Sequence, residues 1–137
     1  MALTHLVDTS VLTRLNRPQV AERVIDLASS GRLARCSLSD LELGYSARNV
    51  DEFDRISASL SVFDVVALDE RHVVRALQVQ RQLAGASQRG RKVPDLLIAA
   101  AAEEAGFTVL HYDADFDLIG EATGQPTEWV VTRGSVD

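Results

Sequence analysis

The sequence predicts an α/β fold, a three-layer α/β/α arrangement around a mainly parallel central sheet. Three observations carry this reading. Short runs that read as strands recur along the chain, at residues 3–7, 33–36, 62–68, 107–110 and 127–131. Segments with apolar residues at helical spacing separate most of them. The connections leave no room for anything but right-handed crossovers, which place helices on both faces of a parallel sheet. With 137 residues, 46% of them hydrophobic and 25% charged, the chain has material for one ordinary core. Residues 1–137 are expected to form a single domain.

Residues 3–7 read as a buried strand that ends on Asp8. Residues 11–15 suit a short helix capped by Thr9 or Ser10. Pro18 fits the first turn of a second helix, whose stripe is Val20, Val24, Leu27 and Ala28 and whose end is Gly31. After the strand 33–36, a helix over 38–48 carries Leu41, Leu43 and Tyr45. Asp51 is placed as the cap of the next helix, with Phe53, Ile56 and Leu60 at helical spacing. Residues 62–68 have the β-branched and aromatic content of a strand. Asp69 then caps a long helix carrying Val73, Ala76, Leu77 and Leu83, which stops by Gly85. Residues 85–92 are polar and basic. Pro94 opens a helix over 95–105 that Gly106 closes. A strand at 107–110, a turn at 111–115, a short helix at 116–122 and a strand containing Trp129 complete the chain. No internal repeat or low-complexity tract is present.

Net charge is −6, and thirteen of the fourteen basic residues are Arg. The total opposes simple electrostatic capture of nucleic acid, while Arg can grip phosphate bidentately. An acidic total also suits carboxylates gathered to hold cations. The single cysteine, Cys36, has no partner for an internal disulfide, which fits a reducing compartment. No apolar run approaches the roughly 20 residues that cross a bilayer. The N-terminus lacks the basic and hydrophobic regions of a secretory signal, so a cytoplasmic location is expected. No glycine-rich nucleotide-binding pattern follows a strand.

The acids carry the functional signal. Asp8 ends the first strand, Glu42 lies early in the helix after the second, and Asp113 and Asp115 follow the strand at 107–110. In a parallel sheet all of these emerge at one rim, beyond the carboxyl ends of the strands, where ligands bind in open α/β sheets. Asp95 reaches the same rim if its helix starts there. Carboxylates so gathered repel one another unless a cation neutralises them. Mg²⁺ or Mn²⁺ takes such hard oxygen ligands, and a pair of these ions can drive phosphodiester cleavage. Each acid also has a local role open to it. Asp8 could cap the helix that follows. Glu42 could close a capping box with Ser39. Asp95 could serve the helix dipole. Asp113 and Asp115 could be turn residues. Arg89, Arg91 and Lys92 fit either a solvated loop or a clamp on RNA phosphates.

Leu6-Val7-Asp8-Thr9-Ser10, Glu42, Val93-Pro94-Asp95-Leu96-Leu97-Ile98-Ala99-Ala100 and His111-Tyr112-Asp113-Ala114-Asp115-Phe116 together resemble the PIN-domain ribonucleases. More narrowly, the chain resembles VapC-type toxins of bacterial type II toxin–antitoxin pairs. The resemblance implies Mg²⁺- or Mn²⁺-dependent cleavage of single-stranded or loop RNA, restraint by a small VapB-like antitoxin, and a homodimer. Asp8, Glu42, Asp95 and Asp113 would form the catalytic quartet. Asp8, Asp95 and Asp113 would ligate metal, with Asp115 as a further metal ligand or an outer-shell carboxylate, and Ser10 would sit beside the metal and orient Asp8. Two other readings remain open. One is a non-catalytic module that binds antitoxin or RNA. The other is a metal-dependent phosphatase with Asp8 as nucleophile, which Ser10 disfavours because such enzymes carry a second Asp at that position.

Overall fold

The structure is a computed structural model that describes residues 2–88 and 90–137. Arg89, expected at the RNA clamp, lies outside the described residues. Five strands, β1 (His5–Val7), β2 (Leu33–Cys36), β3 (Asp64–Val66), β4 (Thr108–His111) and β5 (Thr127–Trp129), form one sheet in the order β3-β2-β1-β4-β5. Every pairing is parallel. The first strand lies in the middle, with Leu6 paired to Ala34 on one side and to Val109 on the other.

Strand alternation sorts the side chains into two cores. Leu6, Ala34, Cys36 and Val109 face one way. They pack on α5 (Glu70–Gly85), α6 (Val93–Ala105) and α7 (Asp115–Thr123) through residues such as Leu83, Ile98 and Phe116. Val7, Leu33 and Leu110 face the other way, against Val11 and Leu12 of α1 (Thr9–Leu12), Val24 and Leu27 of α2 (Pro18–Ser29), and Leu60 of α4 (Val50–Leu60). The remaining helix, α3 (Ser37–Tyr45), starts directly from the end of β2. The result is the expected three-layer α/β/α fold. No helix among the described residues is long and apolar enough to cross a membrane.

Element ends differ from expectation where a side chain has another use. The first helix begins at Thr9 with Asp8 as its cap, because the Asp8 carboxylate accepts from Ser10 N at 3.0 Å. The hydroxyls of Thr9 and Ser10, expected as caps, bond elsewhere. Asn49 rather than Asp51 caps α4, accepting from Glu52 N at 2.8 Å. The third strand keeps only three residues because it is an edge strand, and Val62 and Val65 are exposed. Asp69 does cap α5, and His72 Nδ1 accepts from Asp69 N at 3.0 Å to close the box. Gly106 ends α6 with φ +77°, a left-handed conformation that glycine adopts without strain.

Candidate metal centre

Because the sheet is parallel, the residues after β1, β2 and β4 open onto one rim. The central β1 delivers Asp8, and its neighbours deliver Glu42 and Asp113. Asp8 is 3% exposed, and its N–H donates to Leu110 O at 2.8 Å, which ties it to the end of β4. One of its carboxylate oxygens caps α1. The other, Oδ1, is buried without a hydrogen-bond partner. Burial raises the carboxyl above its ordinary range. Hydrogen bonds from Ser10 oppose this, while the charges of Glu42 and Asp113 add to it.

Asp95 enters from the first turn of α6, held there by Pro94 at the helix start. It is 5% exposed, and its Oδ2 also lacks a hydrogen-bond partner. Burial first, and the charge of Asp8 next, push its carboxyl up to about 7, against the pull of Lys92. Carboxylate oxygens of Asp95, Asp113 and Asp115 lie within 4.8 Å of one another.

Two of the expected RNA-clamp residues lie among these acids. Lys92 Nζ donates to Asp113 Oδ2 and lies 3.5 Å from Asp95 Oδ2 and 3.6 Å from Asp115 Oδ2. Arg91 Nη1 donates to Asp115 Oδ1 at 2.7 Å. Asp113 also accepts from Asp115 N at 2.9 Å, so it shapes the turn as well as facing the rim. Burial works to raise the Asp113 carboxyl, but hydrogen bonds from Lys92 and the Asp115 amide hold it below its ordinary value.

Glu42 lies outside the cluster of Asp95, Asp113 and Asp115 and is tied to Thr9, the residue after Asp8. Its Oε1 accepts from Thr9 Oγ1 at 2.7 Å, and that oxygen lies 2.8 Å from the buried Ser39 Oγ. The capping box with Ser39 does not form, since α3 starts two residues before Ser39 with Cys36 as its cap. Ser10 orients Asp8 through its backbone N–H, while its Oγ accepts from Tyr112 N at 2.9 Å and clips α1 to the loop after β4.

His111, which has no ligand spacing in the sequence, supports this loop from below. It is fully buried, with the Phe116 and Trp129 rings tilted against it, each with its centre 5.0 Å away. Its Nδ1 accepts from Asp113 N at 3.2 Å, so the ring proton sits on Nε2. Burial lowers its pKa to about 4, keeping the ring neutral. Its position as the last residue of an otherwise apolar strand is the only sequence signal it offers.

The donor set fits a divalent cation of the Mg²⁺ or Mn²⁺ type. All its donors are hard carboxylate oxygens; Asp8 Oδ1 is buried without a hydrogen-bond donor, and Asp95 Oδ2 is buried with the Lys92 ammonium 3.5 Å away. A buried carboxylate without a partner is costly, and a cation supplies the missing interaction.

A three-layer parallel α/β fold with carboxylates converging over its central strand defines a class that sequence comparison also identifies. Residues 5–122 match the PIN domain family, and the chain belongs to that family. Within it the chain falls among VapC-type proteins. It is 57% identical to Ribonuclease VapC51 of Mycobacterium tuberculosis over 137 residues, spanning the whole of both chains. It is 40% identical to Ribonuclease VapC18 of the same organism, covering 98% of this chain and 100% of that one. Among solved structures, DNA-bound VapBC from Salmonella typhimurium shares the fold with a TM-score of 0.76, over 94% of this chain and 99% of that one, at 21% identity.

Proposed function

We propose that the protein is a divalent-metal-dependent endoribonuclease, the toxin of a toxin–antitoxin pair, cleaving single-stranded or loop RNA. The observation that carries this reading is the cluster of Asp95, Asp113 and Asp115, whose carboxylate oxygens lie within 4.8 Å of one another, with Asp8 near enough for its charge to raise the Asp95 carboxyl. Asp8, Asp95 and Asp113 are assigned as ligands of Mg²⁺ or Mn²⁺, with Asp115 as a further acid. When bound, such an ion supplies positive charge at the scissile phosphate and lowers the pKa of water. The chain's own residues do the rest. Glu42, held by Thr9, and Asp113, held by the Asp115 amide, orient the attacking water. Ser10 fixes Asp8. Lys92 and Arg91 offset the negative charge of the rim so that a phosphate can approach, and Arg89 belongs to the same basic segment.

We place the protein in the cytoplasm as a homodimer restrained by a VapB-like antitoxin. An open apolar groove of about 490 Å³, lined by Leu12, Leu15, Val24, Ile25, Ile56 and Phe63, offers such a partner an anchoring face. An acidic rim favours a basic side chain from the partner for the same reason that it favours metal. The test is cleavage of a single-stranded RNA by purified protein in Mn²⁺ or Mg²⁺, with an EDTA control. Cleavage is expected to stop with EDTA and to fall at least about 100-fold in Asp8→Asn and Asp95→Asn. Undiminished cleavage by both variants would overturn the assignment.

A further inference from the structure

An RNA strand that approaches a rim of carboxylates gains from cations that those carboxylates do not already hold. Arg91 and Lys92 are held, by Asp115 and Asp113. Two other arginines, Arg14 and Arg17, lie in the turn between α1 and α2, on the flank of the loop that carries Asp113. Arg14 is fixed in place. Its Nη1 donates to Ser10 O at 2.7 Å, and its guanidinium lies 4.8 Å from the centre of the Tyr112 ring. Tyr112 immediately precedes Asp113.

Both guanidiniums converge on one residue. Arg14 Nε donates to Asp137 O at 2.6 Å, and Arg17 Nη2 donates to Asp137 Oδ2 at 2.5 Å. Asp137 thus offers its backbone carbonyl to one guanidinium and its carboxylate to the other, and guanidinium donors that take such oxygens also take phosphate oxygens. The segment that brings Asp137 here is anchored on the same tyrosine. Tyr112 Oη donates to Val136 O at 2.7 Å and accepts from Gly134 N at 2.9 Å and Val136 N at 3.2 Å. The Asp137 side chain itself is 90% exposed, so its grip is weak and open to exchange.

We infer that Arg14 and Arg17 form a phosphate-binding pair for the RNA backbone, and that Asp137 occupies this pair until RNA displaces it. The inference rests on the nuclease reading and adds a binding subsite and an internal competitor to it. The pair reads backbone and not sequence, so it contributes equally to any single strand.

The experiment is fluorescence anisotropy with a labelled single-stranded RNA in EDTA, run over a salt series, beside a Mn²⁺ cleavage assay of the same proteins. Asp137→Ala is expected to tighten binding about threefold, the scale on which exposed ion pairs compete. Arg17→Gln is expected to weaken binding and to abolish the gain from Asp137→Ala in the double variant. Arg14→Gln with Arg17→Gln should reduce the slope of log affinity against log salt by about 1.4, since each phosphate contact to a single strand contributes about 0.7. A structural role alone would not move that slope. If Arg14→Gln impairs folding, the Arg17 and Asp137 variants decide the matter, since both side chains reach solvent. Asp95-dependent cleavage with unchanged affinity and slope in every variant would overturn the subsite and leave the nuclease standing. Loss of the slope without any cleavage would support the subsite and overturn the nuclease. No RNA binding by any of the proteins would overturn both.

Discussion

Asp95 and His111 face each other across the pH scale. The Asp95 carboxyl is pushed to about 7 in the folded chain against 3.8 without its surroundings. Folding therefore holds its proton more tightly. This contribution to stability is fully present below about pH 4 and is lost as pH rises through 7. His111 runs the other way. Its pKa falls from 6.5 to about 4, so its contribution is fully present above 6.5 and is lost as pH drops toward 4. In the metal-free wild type the two partly cancel. Asp95→Asn removes one of them. It should raise the thermal midpoint of the metal-free protein above pH 7, where the wild-type carboxylate is charged and buried. It should also make the loss of stability on acidification from 6.5 to 4 steeper than in the wild type. Thermal melts at a series of pH values in EDTA check this, and a midpoint lowered at pH 8 would contradict it. Thr9 is a second single-residue lever. Thr9→Val removes the hydroxyl between Glu42 and Ser39 and leaves Ser39 buried without that partner. It is expected to cost about 1–2 kcal/mol of stability, measured by urea unfolding, and to lower the rate of RNA cleavage about tenfold.

At the scale of elements, the first helix shows how site and scaffold share residues. Asp8 both caps α1 and faces the rim. Asn is an equally good cap, so Asp8→Asn should keep the helix while removing a charge whose burial is unfavourable. Its metal-free midpoint should match or exceed that of the wild type, whereas Asp8→Ala should lose the cap, about 1 kcal/mol. Differential scanning fluorimetry of the two variants separates these roles. The same sharing explains what the sequence made legible. Pro94 and Gly106 bracket α6 because proline and glycine mark helix ends through backbone geometry alone, and Asp69 caps α5 by a purely local bond. Helix α1 starts earlier than its local sequence suggests because the Thr9 and Ser10 hydroxyls are drawn off by Glu42, Ser39 and Tyr112, partners 30 or more residues away. Asn49 was passed over for Asp51 because both residue types suit a cap and only the path of the chain selects one. Asp8, Glu42, Asp113 and Asp115 are legible as positions following strands, since a parallel sheet sends those strand ends to one rim, whereas Asp95 opens a helix that follows another helix. The mutual distances of these acids, the lodging of Lys92 among them and the buried His111 ring depend on packing between distant segments. The grip of Arg17 on Asp137 spans 120 residues and has no local signal at all.

For the whole molecule, a net charge of −6 has to be reconciled with an anionic substrate. Arg91 and Lys92 pair with Asp115 and Asp113 and so offset the acids from within the rim. Lys92 then competes with metal for the same oxygens. Lys92→Met should tighten Mn²⁺ binding, because the removed ammonium lay within 4 Å of Asp95, Asp113 and Asp115. The same change should weaken RNA binding, through loss of a cation near the phosphate path. Isothermal titration with Mn²⁺ and anisotropy with RNA read the two effects separately.

The central claim is that acids far apart in the chain, Asp8 and Asp95 above all, share one divalent cation. Electron paramagnetic resonance counts free against bound Mn²⁺ directly, at pH 8 where Asp95 is ionised. Wild-type protein should bind Mn²⁺, and Asp8→Asn and Asp95→Asn should each weaken that binding at least about tenfold. Equal Mn²⁺ binding by the wild type and both variants would contradict the account.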